Sequence, residues 1–176
     1  MIIPGQLITI ATFPGVIIHE VAHQLFCRLA NVAVLDVCYF RVGNPSGYVI
    51  HEKPRKISQH ILIGIGPFIL NTLIGALIAM SASFPVFRFH TGGPLDYIFI
   101  WLGVSIAMHS FPSTGDAKSI WEAIKSKETN IFAKIIGTPI VGLIYLGALG
   151  SVAWLDLFYA MAVALLIPNL IINLLI

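Results

Sequence analysis

His19-Glu20-Val21-Ala22-His23 places two imidazoles four positions apart, with a carboxylate beside the first. Positions four apart share one face of a helix. Both rings can then reach a single Zn²⁺ at about 2.0–2.1 Å per nitrogen. Glu20 stands where it can take a proton from water on that zinc and pass it to a leaving amine. Zinc lowers the pKa of such water to about 7, so hydrolysis is the expected chemistry. A hydrolytic zinc takes three protein ligands and keeps one position open. The third is sought in His109-Ser110-Phe111-Pro112-Ser113-Thr114-Gly115-Asp116-Ala117, where Asp116 is the candidate. Pro112 and Gly115 allow a helix to break there and turn a carboxylate inward. The other reading of Asp116 is an N-cap of the short amphipathic stretch Lys118–Lys127. His51, Glu52, His60 and His109 compete as ligands but are expected to serve as loop or interface residues. Cys27, four residues after His23, is expected to pack.

The elements that must hold these groups are membrane helices. Of 176 residues, 57% are hydrophobic and only 10% charged, and the mean hydropathy is +0.91. Soluble domains carry about 25% charged residues. A chain so poor in charge cannot cover a water-facing surface, which excludes a soluble domain and a disordered chain. A net charge of +2 is too small for a nucleic-acid footprint. The expected fold is an all-α polytopic membrane protein, with the lipid bilayer as its surroundings. Five apolar segments are predicted, at about Ile2–Leu29, Ile57–Phe84, Leu95–Phe111, Ile131–Val152 and Ala153–Leu175. Residues 1–130 form the core with three of them, and 131–176 add two more to the same domain. Asp156, Asn169 and Asn173 are the main polar groups of those last two segments. Cys27 and Cys38 do not make a disulfide framework, and no cleavable signal is evident.

Arg28, Arg41, Lys53, Arg55 and Lys56 lie between the first two segments, and Lys118, Lys125 and Lys127 between the third and fourth. The positive-inside rule puts both connections in the cytoplasm, with the N-terminus outside and the C-terminus inside. His19, His23 and Asp116 then fall at similar depth, toward the cytoplasmic side, in what is expected to be the cell membrane of a prokaryote. Two His and a Glu within an apolar helix are functional candidates by default. From Val32 to His51, β-branched and aromatic residues flank Gly43-Asn44-Pro45-Ser46-Gly47, which predicts a β-hairpin. It is either a loop folded over helix ends or an edge strand, such as Val32–Val42, that accepts an extended peptide.

In order along the chain, these residues resemble the site-2 protease family of intramembrane zinc metalloproteases. That family has H-E-x-x-H on one core span, a β-hairpin after it, G-P-x-x-N on the next, and an Asp within N-x-x-P-x-x-x-L-D-G. Here the series is His19-Glu20…His23, the hairpin, Gly66-Pro67…Asn71 and Asp116, over roughly the first 120 residues. Asn71 falls four after Pro67, and Met108 holds the position of the Asn in the third motif. The resemblance implies His19, His23 and Asp116 as Zn²⁺ ligands and Glu20 as catalytic acid–base, with Asn71 as a stand-in for the substrate-binding Asn. The expected function is hydrolysis of peptide bonds in transmembrane or membrane-associated proteins. Two alternatives are an inactive membrane protein that keeps a structural or regulatory zinc, and an ion or proton carrier using the buried His and Glu.

Overall fold

The computed structural model of the protein describes residues 5–126, 129–168 and 170–171. Lys127, Asn169 and Asn173, named above, lie outside these residues, as does the far end of the last predicted segment. The first predicted span is two helices, α1 (Gly5–Ala11) and α2 (Phe13–Leu29), bent by 84°. Pro14 is the cause. It has no N–H to donate to Ile10, and its ring crowds that turn, so the helix stops and restarts. Thr12 Oγ1 donates to Ile8 O (2.7 Å) across the break.

A two-stranded antiparallel sheet follows, β1 (Val34–Cys38) with β2 (Tyr48–His51), as the residue pattern predicts. The strands pair Val37 with Val49 and Cys38 with Tyr48, and a bulge lies between Val34 and Asp36. Helix α3 (Ile57–Ser83) runs on through a π turn to Arg88. Gln59 fixes its start: Oε1 accepts from the amides of Arg55 (3.0 Å) and Lys56 (2.9 Å), and Nε2 donates to Ala30 O (2.8 Å) just past α2. Helix α4 (Pro94–Met108) opens with Pro at a first-turn position and an Asp96 carboxylate on the Gly93 amide (2.7 Å).

Helices α2, α3 and α4 cross where side chains are smallest. A Cβ on Gly15 would run into Ser105 O, and one on Gly75 or Gly103 would lie 2.8 Å from the other's carbonyl. Such backbone-to-backbone approach is how helices associate where no water drives them together. The contacts make α2 and α4 antiparallel to α3, with Gly15 beside Asn71, and His23 beside Ile63. Helix α5 (Thr114–Lys125) is amphipathic and seats Ala117, Ile120 and Ile124 against Val141 and Ile144 of α6 (Ile131–Gly150).

Contacts with α3 then climb in order. Gly137 lies beside Ile57, Leu143 to Gly147 border one cavity with Phe68 and Ile69, Tyr159 Oη meets Thr72 Oγ1 (2.7 Å), and Ser83 Oγ donates to Ala164 O (2.8 Å). The last two apolar segments, α6 and α7 (Leu155–Met161) with its π turn to Leu166, therefore follow α3 in one direction as a broken path. The sequence reading has them as separate spans. Trp154, at φ 65°, makes the break without reversing the chain.

Ile57–Arg88 and Ile131–Ala153 are long and apolar enough to cross a membrane, and α1–α2 makes a third if taken as one bent span. Pro94–Met108 and Leu155–Leu166 are shorter. Against five predicted spans, two or three helices among the described residues reach crossing length.

Candidate metal centre

His19 and His23 project from one face of α2 into a cavity of about 420 Å³. Their rings meet edge to face, with centroids 4.8 Å apart. His19 Nδ1 lies 2.7 Å from His109 O, and His23 Nδ1 lies 3.1 Å from Ile63 O. A carbonyl only accepts, so Nδ1 carries the proton in each ring and Nε2 of each neutral ring is a lone pair. The two Nε2 atoms face each other at 3.2 Å. Two opposed lone pairs can hold a shared cation. Two nitrogens bound tetrahedrally to one Zn²⁺ stand roughly 3.3 Å apart. An imidazole whose other nitrogen donates to a backbone carbonyl is also the usual arrangement around a bound metal.

Asp116 completes the group. It sits in the first turn of α5, and its Oδ2 is 3.6 Å from His23 Nε2. One ligand atom from each of His19, His23 and Asp116 falls within 4.8 Å of the other two. The donor set, two imidazole nitrogens and a carboxylate, suits Zn²⁺ with one position left over. The N-cap reading of Asp116 is half right. Ser113 is the N-cap, and Asp116 is its capping-box partner, with Oδ2 accepting from Ser113 N and Oγ at 2.7 Å each. One carboxylate thus ties down the helix start and faces the imidazoles. Gly64 packs beside it: a Cβ there would make ordinary contact with Asp116 Cβ at 3.5 Å and a tighter one, 3.0 Å, with Ile120 Cδ1.

Glu20 is buried and borders two cavities, the first shared with His23 and Asp116 and a second of about 370 Å³ shared with His109 and Asp156. The hairpin loop crosses directly over it. A Cβ at Gly47 would lie 2.7 Å from Glu20 Cγ and 2.9 Å from Oε1, so any larger residue there would have to displace the Glu20 side chain. Strand β2, through Tyr48, Val49 and His51, borders the first cavity; β1, the strand named from sequence, does not line it.

Asn71 is placed differently from the role the resemblance implies. It is fully buried, and Nδ2 points at three main-chain carbonyls, those of Gly15 (3.3 Å), Ile106 (3.2 Å) and His109 (3.1 Å). It borders neither cavity beside Glu20. Its amide ties α2, α3 and α4 together and steadies the carbonyl that receives His19. Asn71→Leu removes the side-chain donor that these carbonyls share, and a loss of about 1 kcal/mol is expected, measured as a lower unfolding midpoint in detergent. An unchanged midpoint would remove the brace.

The competing ligands have other partners. His60 bonds Ser119 Oγ (2.9 Å) and Pro54 O (3.1 Å), linking α3 to α5. His51 Nδ1 donates to Glu52 O (2.7 Å), and His109 Nδ1 to Ser105 O (3.0 Å). Cys27 is buried with Ala30, Val32 and Ile63, as expected of a packing residue, and both cysteines are free. Sequence reasoning missed the two carbonyls that orient the imidazoles, and it missed Gly47. Searches with protein-family models, among curated proteins and among solved structures found no match to this chain.

Proposed function

We propose that this protein is a membrane-embedded zinc metallopeptidase of the site-2 protease kind. It cleaves peptide bonds of transmembrane or membrane-associated proteins. One observation carries the reading: two Nε2 lone pairs and a carboxylate converge on one point beside Glu20 in a cavity. His19, His23 and Asp116 would hold a Zn²⁺, which when bound would supply Lewis acidity toward a scissile carbonyl and toward water. Glu20 accepts the proton of the attacking water and delivers it to the departing amide nitrogen, so the new amine leaves neutral.

A helical substrate hides its amides in its own hydrogen bonds and must unwind first. Strand β2 has one edge free of β1 and borders the cavity, so it suits an opened, extended segment. Non-helical substrate backbone is tolerable at this depth because protein lines the space. The basic residues Lys53, Arg55, Lys56, Lys118 and Lys125, by the positive-inside rule, support a multi-pass reading with the centre toward the cytoplasmic face.

The test is cleavage of a transmembrane reporter peptide in proteoliposomes. Cleavage is expected to stop with a chelator and return with zinc. Stoichiometric zinc without cleavage of any membrane peptide would assign the centre a structural or regulatory role instead.

A further inference from the structure

Within a helix, each carbonyl is normally taken by the amide four residues on. The carbonyl that orients His23 is that of Ile63, and the residue four on is Pro67, which has no amide hydrogen. Pro67 lies in the middle of α3, fully buried, and the helix continues on both sides of it. We propose that Pro67 is a positioning residue for the metal centre. By deleting one N–H it frees the Ile63 carbonyl to hold the Nδ1–H of His23, which turns His23 Nε2 toward His19 and Asp116. The inference rests on the metal-site reading above.

Three observations support it. His23 Nδ1 and Ile63 O are 3.1 Å apart, in a buried contact between α2 and α3. A proline ring crowds the carbonyl four residues back and tilts it away from the helix axis, which presents it to a neighbouring side chain. The second imidazole is served in the same way: His109 lies just past α4, where carbonyls have no helical donor, and its oxygen receives His19 Nδ1 at 2.7 Å. Both rings are thus oriented by carbonyls that helix geometry leaves over. Pro139 in α6 makes the contrast, since the carbonyl it frees belongs to Ile135, which faces outward at 61% exposure.

The experiment compares two replacements at one position. Pro67→Ala restores the N–H, so Ile63 O returns to the helix and His23 loses its acceptor. The α-hydroxy analogue of alanine, incorporated at position 67, removes the ring but still has no N–H. Zinc affinity is measured by competition with a chelator, and the His23 tautomer by ¹⁵N NMR of metal-free protein. Pro67→Ala is expected to weaken zinc binding about 10–100-fold and to release His23 from the Nδ1–H tautomer. The hydroxy analogue is expected to keep the wild-type affinity and tautomer. Wild-type behaviour in Pro67→Ala overturns the proposal. Equal weakening in both variants also overturns it, because the ring or the helix bend would then be what matters. A wild-type protein that takes up no zinc defeats the metal-site reading, and the tautomer comparison still decides the role of Pro67.

Discussion

Asp116→Asn and His23→Ala are each expected to empty the metal centre. A protein zinc site gathers about 10–16 kcal/mol from its ligands, and removing one of the three here forfeits roughly a third, at least about a hundred-fold in affinity. Asparagine is chosen for position 116 because its carbonyl oxygen can still accept from the Ser113 amide that Asp116 Oδ2 now holds. The start of α5 then survives while the charge facing His23 is gone. Metal content after dialysis against a weak chelator reads the result, with circular dichroism as the check on folding. If Asp116→Asn keeps its zinc as wild type does, Asp116 leaves the ligand set and its carboxylate is a helix cap alone.

Glu20→Gln is expected to do the reverse, keeping the metal and losing the reaction. General acid–base groups contribute about 10²–10⁴-fold, and glutamine can neither accept a proton from water nor return one to the leaving amine. Glutamine matches the shape of glutamate, so the packing of this side chain against Gly47 is kept. Initial rates in proteoliposomes, set against zinc per chain, check it. Undiminished cleavage would take Glu20 out of the chemistry; loss of zinc and cleavage together would make it a structural neighbour of the imidazoles.

The grouping of His19, His23 and Asp116 was legible in the sequence because most of it lies in short-range spacing. Two His and a Glu within five residues share a helix wherever that helix goes, and Asp116 follows helix-breaking residues that bring a carboxylate round. The hairpin was legible from its β-branched runs and central turn. What could not be read is what depends on non-local contact. Apolarity is continuous through residues 131–168, and hydropathy has no sign for direction, so nothing in it says that α6 and α7 follow α3 together. The bend at Pro14 was visible as a proline but hidden by the apolar run around it. The surroundings of Asn71 were not legible because a motif position says nothing about which way an amide points; its three carbonyl partners come from two other helices and a turn. Ile63 carries no side-chain signal at all, and only the proline four residues on marks its oxygen as available.

The imidazoles belong to the second helix of the chain and the carboxylate to the fifth, so an ion gripped by all three would staple distant stretches of sequence. It would close a ring of roughly ninety residues, and such a ring takes freedom chiefly from the disordered chain. Its removal would then loosen the molecule far beyond the ligands themselves, and a sequestering agent would register as a change in how the whole assembly melts.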